Sequence, residues 1–183
     1  MKKVTLALAL LTSIALSTNA QKEKTVMVGG AAMYPSKNIV QNAVNSKDHT
    51  TLVAAVTAAG LVETLQSAGP FTVFAPTNAA FNLLPAGTVE TLVKPENKAL
   101  LTSILTYHVV AGKMTSKDLA KKIKNGKGKT ELKTVAGGKL WVMAKGNQIW
   151  IQDEKGGKAM VNIKDIHQSN GVIHSIDHVL MPK

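Results

Sequence analysis

The residues best suited to catalysis lie near the C-terminus of the chain. His174, Ser175 and Asp177 are the side-chain types of a hydrolytic triad. They fall in a run that predicts a strand, where neighbouring side chains point to opposite faces, so His174 and Ser175 cannot meet. His174 and His178 would lie about 13 Å apart in such a strand, too far to share a metal ion. We therefore predict no catalytic residue, and we interpret His174 as a hydrogen-bonded core histidine.

The other histidines do not suggest a metal centre. His49, His108 and His167 are far apart in the sequence, and the chain has neither cysteine nor an HExxH pattern. Gly126 and Gly128 alternate with lysines but do not open a helix, as a phosphate-binding loop must. The sequence predicts no metal and no cofactor.

Lysine is concentrated between positions 113 and 139. This stretch carries nine lysines against two acidic residues, Asp118 and Glu131. Such a density could bind an acidic polysaccharide, an anionic envelope lipid or extracellular nucleic acid through salt-sensitive contacts. The alternative is a solvated loop that keeps the protein soluble. The candidate contacts for a polyanion are Lys121, Lys122, Lys124, Lys127 and Lys129.

Every basic residue of the 183-residue chain is lysine, and the formal net charge is +11. Arginine provides the fork that reads guanine edges and clamps phosphates. Its absence argues against sequence-specific recognition of nucleic acid.

The N-terminus has the pattern of a secretory signal peptide over residues 1–20. Lys2 and Lys3 precede an apolar run over 4–16, which is shorter than the ~20 residues of a membrane-spanning helix, and small residues follow. Loss of this segment would lower the net charge from +11 to +9. We predict a secreted protein, extracellular or periplasmic, with a flexible leader over 21–35 and one folded domain over 36–183. An edge strand at Thr25–Val28 is the alternative for part of the leader.

Apolar periodicity predicts helices first and strands second, which indicates an α+β domain. Helices are predicted to begin near Ser36 and near Asp48 or Thr50, followed by a short turn at 61–65 and helices over 78–84, 88–93, 96–107 and 116–123. Strands are predicted over 71–74, 130–135, 139–144, 148–152, 159–166 and 172–180, with Gly171 in the turn before the last strand.

Three ordered motifs resemble the fasciclin family. They are GPFTVFAPTNAAF at 69–81, Tyr107-His108-Val109-Val110, and NGVIHSIDHVLMP at 170–182. The resemblance implies a fasciclin-like fold, with N-terminal helices packed on a β-rich half that forms a wedge of two short sheets. Within these motifs we expect structural roles for Phe71, Thr72, Phe74, Pro76, Thr77, Asn78, Phe81, Asn170, Gly171 and His174. Asn78 departs from the family, because many members have Asp there.

The resemblance also implies adhesion sites. In animal members, adhesion is attributed to an Asp-Ile pair before the closing motif and to the Tyr-His segment, which match Asp165-Ile166 and Tyr107-His108. The alternative for Asp165 is a solvated turn residue. For Tyr107 and His108 it is core packing at a helix end, with the phenol and imidazole hydrogen-bonded inside.

The sequence thus predicts a non-enzymatic adhesion or binding module whose partner is a cell-surface or matrix protein or glycan. The alternatives are a polyanion-binding protein and a structural component of the envelope or matrix. An enzyme fits less well, because the candidate side chains do not converge.

Overall fold

The computed structural model describes residues 23–183. The predicted signal peptide lies outside the described residues. Within residues 23–183, no helix is long and apolar enough to cross a membrane.

Within residues 23–183, seven α-helices lie mainly in the first two thirds of the chain. They are α1 (Ile39–Ala43), α2 (Thr50–Ala59), α3 (Val62–Gln66), α4 (Asn78–Asn82), α5 (Thr88–Leu92), α6 (Lys98–Tyr107) and α7 (Ser116–Asn125). Helix α2 ends at Gly60, whose φ of 72° is readily adopted by glycine. Helix α7 begins with a capping box in which the side chains of Thr115 and Asp118 bond each other's backbone amides.

Nine strands complete the described part of the fold. They are β1 (Val26–Val28), β2 (Ala31–Met33), β3 (Phe71–Pro76), β4 (Val109–Ala111), β5 (Lys129–Lys133), β6 (Lys139–Lys145), β7 (Gln148–Gln152), β8 (Lys158–Gln168) and β9 (Gly171–Ile176). Strands β1 and β2 form a hairpin, and the other seven form a sheet in the order β4-β3-β9-β8-β7-β6-β5. A bridge between Val110 and Thr134 brings β4 next to the end of β5 and nearly closes this sheet. The α+β fold is confirmed.

The long strand β8 joins the two halves of the sheet. It pairs with β7 near its start and with β9 towards its end, and its pairing register shifts between Val161 and Ile166. These irregularities bend the strand, so that the sheet has two differently oriented halves.

Two hydrophobic clusters lie on opposite faces of β3 and β9. Val73 and Ile173 belong to the first cluster, which packs against helices α1–α3 and α6. Phe74 and Ile176 belong to the second cluster, which fills the interior of the nearly closed sheet together with Leu119 of α7. This alternation follows from the two-residue period of a strand. Strand β9 is therefore buried on both sides.

The N-terminal part of the domain differs from the predicted flexible leader. Residues 26–33 form the β1-β2 hairpin, and Val28 and Met33 are each only 3% exposed. The apolar alternation was too brief to distinguish this hairpin from a mobile segment, although the alternative strand at Thr25–Val28 lies in the right place. Packing against the first cluster holds the hairpin in place.

Gly171 does not lie in the turn before the last strand, but is the first residue of β9. A Cβ atom on this residue would collide with the backbone carbonyl of Phe71 in the parallel neighbour β3. Glycine is therefore needed for close strand approach at this position.

Candidate binding surface and the signature residues

The predicted adhesion pair Tyr107-His108 lies in the protein core. Tyr107 is fully buried, and its hydroxyl donates to Lys139 O at 2.7 Å and accepts from Glu154 N at 3.0 Å. His108 Nδ1 donates to Ile104 O at 2.8 Å, and its Nε2 accepts from Leu180 N at 2.9 Å. These two side chains therefore link α6 to the sheet and to the C-terminal segment.

Burial changes the acidity of both groups. Desolvation raises the pKa of Tyr107 to about 12 and lowers the pKa of His108 to about 4. Both side chains are thus neutral at physiological pH. Neither can contact a partner in the folded state, which agrees with the core-packing alternative for this pair.

The other predicted adhesion pair is also integrated into the fold. Ile166 is only 2% exposed. Asp165 is half-buried, and its carboxylate accepts a hydrogen bond from Ser116 N at 2.6 Å and another from the Ser116 hydroxyl. The carboxylate lies at the N-terminus of α7, where unpaired amides and the helix dipole favour an anion. Asp165 therefore joins β8 to α7 through hydrogen bonds and is not a solvated turn residue.

His174 has the environment expected of a core histidine. It is fully buried and stacks on Phe74, with 5.8 Å between the ring centroids. Its Nε2 lies 2.8 Å from Met114 O, and its Nδ1 accepts from Asp165 N at 3.3 Å. Desolvation lowers its pKa, which favours the neutral ring.

Ser175 points to the opposite face of β9 and meets a different histidine. Its hydroxyl lies 3.1 Å from His49 Nε2, while His49 Nδ1 lies 2.9 Å from the Ser46 hydroxyl. Ser175 is fully buried, and no carboxylate hydrogen-bonds the His49 ring in the described residues. The arrangement joins α2 to β9 but gives a substrate no access to the hydroxyl.

Two signature asparagines join separate elements of the fold. Asn170 accepts from Ile39 N at 3.0 Å and donates to Leu65 O at 2.8 Å and Ser67 O at 2.9 Å. It thereby connects the start of α1 with the end of α3. These bonds satisfy backbone groups left free at helix ends.

Asn78 shows what an amide provides at a position where many family members have Asp. Its Oδ1 accepts from Thr51 N at 3.0 Å, and its Nδ2 donates to Lys47 O at 2.8 Å. An aspartate could replace the acceptor but not the donor. Asn78 of α4 therefore caps α2, because the side chain of its N-cap residue His49 forms no capping bond.

The remaining signature residues also have structural positions. Thr72 is fully buried and joins Gly112 O and Met114 N through its hydroxyl. The N-cap of α4 is Thr77, which accepts from Ala80 N at 3.2 Å. Three further signature side chains, Phe74, Pro76 and Phe81, are buried, and Phe71 is half-buried.

The lysine cluster is the part of the predicted site that reaches solvent. Leu119 and Ile123 bury one face of α7, which leaves its lysines on the outer face. The five candidates are all exposed: Lys121, Lys122, Lys124, Lys127 and Lys129. In the described part of the chain, none of these five forms an ion pair.

The end of the lysine surface approaches a tryptophan. Lys129 Nζ lies 5.0 Å from the ring centroid of Trp141, within the range of a cation–π interaction. By contrast, Lys139 is neutralised by Glu131 at 3.1 Å. We define the lysine surface as Lys121, Lys122, Lys124, Lys127 and Lys129.

A metal site does not form from the described residues, since no three His, Asp or Glu side chains come close enough to hold an ion. Asp177 accepts from Met160 N at 2.7 Å and lies 2.8 Å from His178. Within the described residues, it therefore forms no hydrogen bond with His174 or Ser175.

Comparison with known proteins identifies the family. The family described as Fasciclin domain matches residues 47–182. Protein sll1483 of Synechocystis is 46% identical over 170 residues, which cover 93% of this chain and 87% of that protein. Immunogenic protein MPB70 of Mycobacterium bovis is 40% identical over 143 residues, or 75% of this chain and 65% of that protein.

A solved structure supports the same architecture. It is a FAS1 domain pair from the insect cell adhesion molecule Fasciclin I, with a TM-score of 0.72 at 21% identity. The match covers 81% of this chain and 52% of the solved one. At this identity the likeness concerns the fold.

Proposed function

We propose that this chain, which belongs to the fasciclin domain family, is an exported, non-enzymatic module. It attaches the cell surface or its matrix to a protein or glycan partner. A signal-peptide pattern at residues 1–20 supports export to the periplasm or the cell exterior. The similar solved structure comes from a cell adhesion molecule, which is consistent with a binding role for this chain.

The observation that carries the proposal is the lysine surface. Its five ammonium groups are exposed and free of ion pairs within residues 23–183. Helix α7 is anchored by Leu119 and Ile123, so its three candidate lysines lie on an ordered element. Lys129 begins β5, and Lys127 lies in the turn between the two elements. A fixed row of positive charge attracts an acidic polymer before contact and binds it through many weak interactions.

An acidic glycan is the partner that this surface fits best. Lysine is a flexible point charge that binds an anion without the geometric selectivity of arginine. The neighbouring Trp141 adds a flat apolar face beside Lys129. Affinity would therefore be distributed along the surface and would depend on the charge density of the polymer.

Binding to a panel of glycans and matrix proteins at low and high salt tests the proposal. We expect affinity for acidic members of the panel to fall as the salt concentration rises. For four contacts on a polymer with the charge density of duplex DNA, the loss is about a hundredfold between ~50 and ~200 mM salt. A polymer with a lower charge density should lose less affinity. Replacement of Lys121, Lys122, Lys124 and Lys127 by Gln should abolish most of this binding.

A charge-matched control separates location from net charge. Lys94, Lys145, Lys155 and Lys164 are exposed and lie outside the lysine surface. Their replacement by Gln removes the same charge and should retain most of the binding. Equal loss in the two variants would reduce the effect to net charge, and salt-resistant binding to one protein would exclude the lysine surface as the main contact.

A structural component of the envelope or matrix is the second candidate. This role predicts self-association in the absence of a ligand, which sedimentation at rising protein concentration would detect. The net charge of +11 opposes self-association at low salt. Association that strengthens with salt and proceeds without any glycan would favour the structural role.

A further inference from the structure

An apolar cavity of about 190 Å³ lies between helices α1–α3 and one face of the sheet. Four adjacent strands, β4, β3, β9 and β8, contribute wall residues to it. These residues are Val109, Val73, Ile173 and Ile166. Three strand spacings of about 4.8 Å separate the outer two strands, so the wall is about 14 Å across.

The opposite wall comes from the helices and the N-terminal hairpin. Val53 and Val56 of α2 and Leu65 of α3 line it, and Val28 and Met33 contribute from the hairpin. The cavity therefore lies within the first hydrophobic cluster and depends on elements distant in sequence. It is distinct from the lysine surface, which lies on α7, the turn that follows it and the start of β5.

The buried polar side chains of the wall are already bonded within the protein. Ser46 and His49 bond each other, and the second ring nitrogen of His49 bonds Ser175. Both ring nitrogens of His108 are likewise occupied. No Lys, Asp or Glu is found among the described residues that line the cavity. An occupant would meet mainly hydrocarbon and no charged side chain, so the part of it inside the cavity must be hydrocarbon as well.

The cavity reaches solvent at its ends. Val44, at the end of α1, and Val135, beside β4, both line the cavity, and they are 55% and 47% exposed. Val135 N donates to Val109 O at the β4 edge, whereas α1 contacts β9. Exposed apolar side chains at two separate places give a chain an entrance without opening the core.

The volume is suited to one chain. A cavity of ~150 Å³ with apolar walls stays dry and accepts benzene in another protein. The space here therefore fits a hydrocarbon segment of similar or slightly greater size, and its exposed ends allow a longer chain to extend beyond it.

We propose that this cavity binds the alkyl chain of a free long-chain fatty acid, with the carboxylate left in solvent. The satisfied buried polar groups exclude a polar headgroup from the interior, and a volume of about 190 Å³ admits one chain and not a bilayer surface. The net charge of +11 favours an anionic amphiphile over a neutral one. The site makes the protein a carrier or sensor of a single-chain lipid in addition to its surface contacts.

Fluorescence titration with cis-parinaric acid, a long-chain fatty acid whose emission rises in apolar surroundings, tests the site on the chain from Gln21 to Lys183. We expect saturable binding of one molecule per chain. Palmitate should displace the probe, whereas hexanoate should not, because a short chain buries too little apolar surface. Phosphatidylglycerol vesicles should not displace it at equal lipid concentration.

Variants locate the binding. Ala43 lines the cavity, and Ala43→Leu should weaken probe binding at least tenfold, while Ala58→Leu on the exposed side of α2 should leave it unchanged. Val44→Asp and Val135→Asp place a charge at each entrance on exposed positions that the fold tolerates. At least one should weaken binding tenfold even if Ala43→Leu fails to fold.

Three results would overturn the proposal. The first is the absence of saturable binding, and the second is binding that neither entrance variant weakens. The third is association of the protein with vesicles when palmitate displaces no bound probe. The last would mean adsorption at the protein surface. Since the charge-loss variant of the lysine surface keeps the cavity intact, it should bind the probe normally whether or not the glycan proposal holds.

Discussion

The chemistry of His108 is set by its surroundings. Its two ring nitrogens bond Ile104 O and Leu180 N, which requires the neutral form with the proton on Nδ1. Protonation would place a charge in the core and convert the acceptor Nε2 into a donor facing another donor. A motif that resembles an adhesion contact is therefore a neutral connection between α6 and the C-terminal segment.

This burial predicts acid sensitivity. The pKa of His108 is lowered from 6.5 to about 4, because burial disfavours the charged ring. Below about pH 6.5 the unfolded chain binds a proton that the folded chain does not, so the free energy of unfolding is complete above this pH and falls as the pH drops towards 4. The shift corresponds to roughly 3 kcal/mol. His49 and His174, whose pKa values are also lowered, act in the same direction.

Urea denaturation at a series of pH values measures this effect, and NMR titration assigns it to individual rings. His178→Gln is the control, because the His178 side chain is 51% exposed and lies outside the core. A free energy of unfolding that stays constant from pH 7 to about pH 4 would contradict the prediction.

At the scale of elements, Asp165 connects two of them. Strand β8 adopts a left-handed φ of 59° at this residue, which Asp tolerates better than most side chains. This local conformation accompanies the contact of the carboxylate with the first turn of α7. The residue thus has a structural reason to be Asp.

Asp165→Ala should destabilise the domain by about 1–3 kcal/mol, since it removes both acceptors of Ser116 at the helix N-terminus. Chemical denaturation measures the loss. Ser116→Ala removes one of the same bonds, so the double variant should lose less than the sum of the two single ones. An unchanged thermal midpoint together with weaker partner binding would instead assign Asp165 to a recognition surface.

Several elements could be predicted from local pattern alone. The run Phe71–Phe74 has the β-branched and aromatic composition of a strand, and Thr77 is a typical N-cap of the helix that follows. Both predictions are confirmed by β3 and α4. Alternation also placed His174 and Ser175 on opposite faces, because a strand has a period of two whatever its neighbours.

The long-range contacts could not be predicted. Asn170 bonds the backbone of residues 131 and 105 positions away, and His49 bonds Ser175 across 126 positions. One sequence carries no signal for such pairs beyond the presence of a polar residue within an apolar pattern. The burial of Ile166 likewise depends on how β8 packs, so a two-residue motif could not reveal it.

At the scale of the whole molecule, the first hydrophobic cluster encloses unfilled space. The side chains that line it forfeit packing contacts, which lowers stability in a domain that is stable by only roughly 5–15 kcal/mol. The fold must compensate through the elements that enclose the cavity, and the N-terminal hairpin is one of them.

Removal of the hairpin should therefore weaken the whole domain. Burial of Val28 and Met33, each 3% exposed, contributes about 1.5–3 kcal/mol per side chain. A chain that begins at Tyr34 should melt roughly 6–24 °C below one that begins at Gln21, given about 2–4 °C per kcal/mol for a domain of this size. Thermal unfolding followed by circular dichroism measures the difference.

Two point variants separate packing from the mere presence of the segment. Met33→Ala removes a cavity-lining side chain and should lower the melting temperature, whereas Met27→Ala, at a side chain that is 61% exposed on the same hairpin, should leave it nearly unchanged. If the shortened chain had the same melting temperature as the longer one, residues 26–33 would be a dispensable leader. If instead it alone lost the melting transition, the hairpin would be a necessary part of the wall, because its removal exposes apolar side chains of the first hydrophobic cluster.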